Sequence, residues 1–296
     1  MNRSTLVPFL VLLGACASDY KVHADPDPND GADTGDVIPD DPTDTGTPVD
    51  TSEPDDEAGR PIAVCSVAPN PVTPPFEAAT WDGSGSYDPD GLTIDRYRWT
   101  LLSQPDGSTL SISGSGATSN PFTPQIAGTY TGQLVVTNSA GVDSNPCTVD
   151  LEAVPAEDLW IEMYWQFSGD DMDLHLLAPG RGTSSMETSW DCYYANCVGS
   201  GLNWGGPGRE DNPTLDLDDI PGTGPENINI EAPENGTYTV VVHDYPGSTY
   251  SGANNVTINI YLDGALEWTD TRAISGENSY TTFAEVDYAT RTVTTR

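Results

Sequence analysis

The sequence predicts an all-β protein: two β-sandwich domains behind an export signal and a disordered acidic linker. From about residue 60 onward the chain is a succession of short runs in which Val, Ile, Thr, Tyr and Trp alternate with polar residues, separated by Gly, Pro and Asn at the spacing of sandwich turns. The second half contains no run with helical periodicity over four turns. Composition changes abruptly near Gly59, and the 296 residues suffice for about two domains once a leader is set aside.

The formal net charge is −36, from 46 acidic and 10 basic residues. Such a chain repels phosphate backbones, which excludes nucleic acid as a natural partner. The excess acid serves solvation, repulsion from an anionic outer leaflet, or binding of divalent cations.

Residues 1–15 read as an export signal. Arg3 supplies the positive flank, and Leu6-Val-Pro-Phe-Leu-Val-Leu-Leu13 is apolar but too short to cross a bilayer core. Leu13-Gly14-Ala15-Cys16 resembles a lipobox, which implies cleavage before Cys16, acylation of that cysteine and a membrane partner through the lipid. The alternative is an ordinary secretory signal. By the same resemblance, Ala17 after Cys16 points to the cell outer membrane, with surface or periplasmic display left open.

Residues 16–59 form the linker. Segments such as Asp25-Pro-Asp-Pro-Asn-Asp-Gly31 and Asp41-Pro-Thr-Asp-Thr-Gly46 offer almost no apolar surface to offset ordering entropy, while proline and charge repulsion extend the chain. At about 3 Å per residue the tether reaches about 100 Å. Asp25–Gly31 lacks the later Glu and the flanking helices of an EF-hand. Beyond Cys16, Cys65, Cys147, Cys192 and Cys197 form an even set in an oxidising setting, so two disulfides and no free thiol are expected.

Residues 60–154 supply five strand candidates: Ile62–Cys65, Phe76–Trp81, Ile94–Trp99, Tyr130–Val136 and Cys147–Leu151. Within them, Ser84-Gly-Ser-Tyr-Asp-Pro-Asp-Gly91, Tyr97-Arg-Trp99, Ala127-Gly-Thr-Tyr130 and Leu134-Val-Val136 occur in an order that resembles a polycystic-kidney-disease (PKD) repeat. The resemblance implies an immunoglobulin-like sandwich that acts as a spacer or protein-binding unit. It places Trp99 in the core of the third strand, Tyr130 at a tyrosine corner, and Cys65 beside Cys147. Asp88-Pro89-Asp90-Gly91 reads as a turn in preference to a cation loop.

Residues 155–296 predict a second antiparallel sandwich, jelly-roll-like. Leu159, Ile161, Met163, Trp165 and Phe167 alternate with Trp160, Glu162, Tyr164 and Gln166, and strands recur at Tyr238–His243 and Val256–Leu262. Asn235-Gly236 and Asp263-Gly264 are hairpin signals.

Two carboxylate pairs at strand spacing lie in this block, Asp171/Asp173 and Asp216/Asp218, followed by Asp219 and Glu226. Alternation sends Met172, Leu174, Leu215 and Leu217 inward and the four aspartates to the other face. If the two strands were neighbours, four like charges would crowd one patch, a state that calcium relieves with oxygen ligands. The competing reading is a solvated acidic sheet face. Asp171-Met-Asp-Leu-His175-Leu, Leu215-Asp-Leu-Asp-Asp219, Gly222-Thr-Gly-Pro-Glu-Asn227 and Gly236-Thr-Tyr-Thr-Val-Val-Val-His243 look like a YfaP-type bacterial envelope domain. That resemblance implies fold and location, and an acidic site at Asp171, Asp173, Asp216, Asp218 and Glu226, without an established catalysis.

Cys192-Tyr-Tyr-Ala-Asn-Cys197 reads as a loop pinned by its own disulfide. Trp190, Tyr193, Tyr194 and Trp204 are candidates for a glycan-stacking platform or for core. His175 and His243 are expected to be a buried hydrogen-bonded pair or two unrelated surface residues in preference to a metal or catalytic dyad. No nucleophile elbow, phosphate loop or His-Glu-x-x-His motif occurs. The sequence therefore favours a noncatalytic, lipid-anchored envelope protein with a calcium-organised head for a protein or glycan ligand. A glycoside hydrolase using Asp173 and Asp218, or a purely structural envelope component, are the alternatives.

Overall fold

The computed structural model describes residues 59–199 and 201–296; the export signal, Cys16 and the linker up to residue 58 lie outside the described residues. The fold is all-β, and its one helical feature among the described residues is a 3₁₀ turn, Thr183–Ser185. None of the helices there is long and apolar enough to cross a membrane.

In the first sandwich β1 (Ser66–Ala68) pairs with β2 (Thr80–Asp82), while β3 (Ile94–Ser103), β4 (Gly128–Asn138) and β5 (Cys147–Ala153) form a second antiparallel sheet. Alternate residues of both sheets meet in a core of Trp81, Trp99, Phe122, Tyr130, Leu134, Val136 and Leu151. The Tyr130 hydroxyl donates to the Ile126 carbonyl at 2.8 Å, forming the tyrosine corner. Cys65 and Cys147 are disulfide-bonded. Asp88 accepts from the Asp90 N–H at 2.8 Å and from the Asn138 amide at 2.8 Å, so its carboxylate is spent on the turn.

Two expected strands are shorter than the pattern suggested. Ile62 makes only an isolated bridge to Tyr87, and Phe76 lies in a turn, 67% exposed. Prolines at 61, 69, 71, 74 and 75 remove the N–H donors that a continuous ladder needs.

The second sandwich comprises β6 (Leu159–Trp165), β7 (Met172–Leu177), β8 (Asp191–Cys192), β9 (Thr214–Leu217), β10 (Glu226–Ile230), β11 (Thr237–Asp244), β12 (Asn254–Leu262), β13 (Ala265–Ile274), β14 (Ser279–Asp287) and β15 (Thr292–Thr295). They form two five-stranded antiparallel sheets, β13-β12-β6-β10-β9 and β15-β14-β11-β7-β8. Leu159, Ile161, Met163 and Trp165 face Met172, Leu174, Leu176, Val240 and Val242 across the core. Asp263 and Gly264, both at positive φ, close the β12–β13 hairpin as a type I′ turn requires. Asn235-Gly236 plays a different part: it leads from β10 in one sheet to β11 in the other, so it is a crossing between sheets and no hairpin.

The outer face of β6 is also buried, because the first sandwich packs on it. Trp160 and Tyr261 close over Ala127, and the Ala127 N–H donates to the Glu162 carboxylate at 2.6 Å. Gly107, at φ +83°, sits against the Tyr164 ring, where an added Cβ would come within 2.4 Å. Burial pushes Glu162 up to about 7. The folded chain thus holds this proton to higher pH than the unfolded chain, whose glutamates release theirs near 4.5. Stability from Glu162 is full below about pH 4.5 and declines as pH rises towards 7, by about 3 kcal/mol in all. Glu162→Gln is expected to abolish that decline in urea titrations run from pH 4 to 8; an unchanged slope would place the decline elsewhere.

Candidate functional site

The alternation that buries Met172, Leu174 and Leu176 turns Asp173 and His175 to the opposite face of β7. Antiparallel register sets His243 of β11 across from Asp173, and Tyr280 of β14 across from His243. The result is a polar row on the outer face of one sheet, and it is covered: Asp173 is 3% exposed, His175 0% and His243 3%.

The cover is the segment around the Cys192–Cys197 disulfide. β8 pairs with β7 only through Asp191 and Cys192, which fixes Asp191 beside His175. His175 Nδ1 lies 2.9 Å from the Asp191 carboxylate, which also accepts the Glu187 N–H at 2.7 Å. The Tyr193 ring stacks on His175 with centroids 5.2 Å apart, and Tyr194 meets both Tyr193 and Tyr245 edge-on. Tyr280 stacks on His243 at 4.1 Å and donates its hydroxyl to Glu187 at 2.7 Å. His243 Nε2 lies 3.2 Å from the Asn278 side-chain oxygen and Nδ1 lies 3.5 Å from Asp173. Burial pulls the His243 pKa down, but the hydrogen bonds to Asp173 and Asn278 outweigh it and leave the group raised.

A second acidic group adjoins the row through the same Asp173. Ile228 and Ile230 of β10 point into the core, so period-2 alternation aims Glu226 into the sandwich as well, at its end. β8 covers β7 only at Leu176 and Leu177, which leaves the Leu174 N–H open, and Glu226 accepts it at 2.8 Å. Ligand oxygens of Asp173, Asp218 and Glu226 all lie within 4.8 Å of one another. Asp173 and Glu226 are buried and Asp218 is exposed at the mouth. One oxygen each of Glu226, Asp173 and Asp171 is buried without a hydrogen-bond partner.

The electrostatic consequence is uniform. Burial raises Glu226 well above the carboxylate range, with Asp173 and Asp218 adding to it. Burial followed by the neighbouring aspartates Asp173, Asp218 and Asp170 pushes Asp171 to about 7, and burial with Asp173 raises Asp218. Converging carboxylates in a low-dielectric site repel unless protons or a cation intervene. This buried acid and histidine group can hold a metal ion.

The structure departs from the sequence expectations at several points. The two carboxylate pairs do not share a sheet face: β7 and β9 belong to different sheets, and a bulge between Asn227 and Ile228 disturbs the β9 register. Asp216 turns away from the trio and accepts from the Asn229 amide at 2.6 Å. Asp219 lies beside the trio but accepts the N–H groups of Gly222 at 3.1 Å and Gly224 at 2.8 Å, which commits it to a turn. Of the two readings offered for Trp204, platform or core, the structure gives core: it is 3% exposed, with its indole N–H donated to the Ser189 carbonyl at 2.8 Å. Trp190 does reach solvent, 41% exposed, with the Arg181 guanidinium over its ring. His175 and His243 are neighbours, with ring centroids 5.9 Å apart, and are not unrelated surface residues. Sequence reasoning missed Asp191, Asn278 and Asp170; only the position of Asp191 next to Cys192 hinted at its placement.

The arrangement defines a two-sandwich β protein whose second sandwich carries a buried acid and imidazole centre. Residues 69–149 match the family described as "K319L-like, PKD domain", and this part of the chain is a PKD-type domain. No curated protein matches the chain. A solved structure described as "Structural basis for the promiscuous specificity of the carbohydrate-binding modules from the beta-sandwich super family" is 15% identical with a TM-score of 0.28, covering 71% of this chain and 98% of that chain.

Proposed function

We propose that the chain is a noncatalytic, lipid-anchored protein of the cell outer membrane whose second sandwich is a calcium-organised binding head. The observation that carries this reading is the Glu226 carboxylate: an oxygen without a partner, 1% exposed at the residue level, set against Asp173 and Asp218 within 4.8 Å. A hard divalent cation satisfies three converging carboxylates, and exposed Asp218 gives it an entry path with room for water ligands. Asp171 stands beside the trio as a further oxygen donor.

Around this centre, Tyr194, Tyr245 and Tyr280 expose 36–39% of their surface. Aromatic faces next to acceptor groups suit a glycan or a protein loop. Acylated Cys16 and the acidic stalk support display away from the membrane, with the PKD-type domain as a rigid spacer. The burial of Asp173 and Glu226 weighs against a hydrolase, whose two carboxyl groups must face an open cleft.

Calorimetric titration of calcium into the chelator-treated full chain tests the proposal, followed by a glycan array with and without the ion. One calcium per chain and calcium-dependent retention of a glycan, lost in Tyr194→Ala, are expected. No heat of binding and an array unaffected by calcium would overturn it.

A further inference from the structure

The geometry points to a second metal centre in the same sandwich: Asp173, His175 and His243 form a two-histidine, one-carboxylate site for a divalent metal of the zinc class. Their ligand atoms lie within 4.8 Å of one another, and all three residues are buried. Proximity alone would not argue for a metal. The hydrogen bonds on the far side of each ring do.

Asp191 is acceptor-only towards His175 Nδ1 and the Glu187 N–H, so Nδ1 carries the ring proton and Nε2 presents a lone pair. That Nε2 is buried with no hydrogen-bond partner. The Asn278 side-chain oxygen likewise fixes the proton of His243 on Nε2, which leaves Nδ1 facing Asp173 at 3.5 Å. Asp173 Oδ2 is itself buried and without a hydrogen bond. With His243 neutral, two imidazole lone pairs and a carboxylate oxygen face one another; a proton on His243 Nδ1 serves Asp173 but still leaves His175 Nε2 without a partner. A cation is the species that satisfies all three.

The donor set selects the class of cation. Imidazole nitrogen is a ligand for zinc and its neighbours in the transition series and a poor one for calcium. Zinc bonds of about 2.0–2.2 Å give tetrahedral edges of about 3.4 Å, close to the Asp173–His243 separation. Asp191 and Asn278 occupy the outer positions that orient metal-bound histidines through their remaining ring nitrogen. The stacked rings of Tyr193 and Tyr280 hold the two imidazoles in place, and three protein ligands leave a position for water or a ligand donor.

This inference is independent of the calcium reading although Asp173 belongs to both groups. The EDTA-stripped full chain is titrated with Zn²⁺, and with Co²⁺ as a spectroscopic probe. One equivalent of zinc, an intense visible cobalt spectrum of low coordination number, and X-ray absorption showing two imidazole nitrogens at about 2.0–2.1 Å are expected. His175→Gln and His243→Gln should weaken zinc by more than about 100-fold, and Asp191→Asn by about 10–100-fold. His175→Gln and Asp191→Asn, neither of them in the Asp173, Asp218 and Glu226 group, should leave calcium binding within about threefold. Absence of zinc binding, an absorption spectrum without imidazole ligands, or zinc binding that follows Glu226 and ignores both histidines would overturn the inference. The spectroscopy on the unaltered chain decides even if a histidine variant fails to fold. Zinc binding without calcium binding leaves this site standing and removes the proposed calcium centre alone.

Discussion

Trp160→Ala is expected to destabilise the chain by about 3–5 kcal/mol, the range for truncating a fully buried indole. It is also expected to separate the melting of the two sandwiches. Trp160 is 0% exposed, and its ring closes the contact with Ala127 and Tyr261 where the PKD-type domain meets the outer face of β6. β6 is a central strand, paired with both β10 and β12, so the indole stands on a rigid support. A contact of this kind couples two cores into one cooperative unit, and a cavity at its centre weakens the coupling. Differential scanning calorimetry reads the result directly as one transition in the native chain and two in the variant. A variant that melts as a single transition at the native temperature would show that the joint contributes little.

Glu226→Gln is expected to change stability in opposite directions with and without calcium. In chelator the folded chain holds a proton on Glu226 that the unfolded chain releases at neutral pH, a cost the amide does not carry, while the amide keeps an acceptor for the Leu174 N–H and turns a donor towards the aspartates. Relief of that cost and of the buried, unsatisfied oxygen raises stability by about 1–3 kcal/mol. At a calcium concentration of about 100 Kd the native chain gains about 2.7 kcal/mol, and the variant loses that gain. The two melting curves should therefore cross as calcium is added. Parallel curves would mean that Glu226 takes no part in binding the ion.

Much of this architecture was legible in the residues. Strong period-2 runs such as Leu159–Trp165 and Val256–Leu262 marked strands because alternation is a property of the strand itself. The tyrosine corner at Tyr130 and the Cys65–Cys147 link were implied by the resemblance to a PKD repeat, and both are present. Asp173 and Asp218 stood out as members of acid pairs at strand spacing and Glu226 as a later acid, but how they converge was hidden. Their meeting depends on which sheet each strand joins and on β8 ending short of Leu174, both long-range facts. Asp216 shows the same limit from the other side, because a bulge rotates it towards Asn229 while its sequence neighbour Asp218 stays with the trio. Trp204 was indistinguishable by type from exposed Trp190, since an indole serves core and surface equally well. The pairing of His175 with Asp191 depends on the two-residue strand β8, too short to register in any window of hydrophobic pattern.

The most direct test is a crystal structure of the chain soaked in calcium, with anomalous differences measured at long wavelength. A single peak about 2.3–2.6 Å from carboxylate oxygens of Asp173, Asp218 and Glu226 is the predicted result. Crystals that show no peak at these three side chains, or a peak held only by acids elsewhere on the surface, would contradict the account.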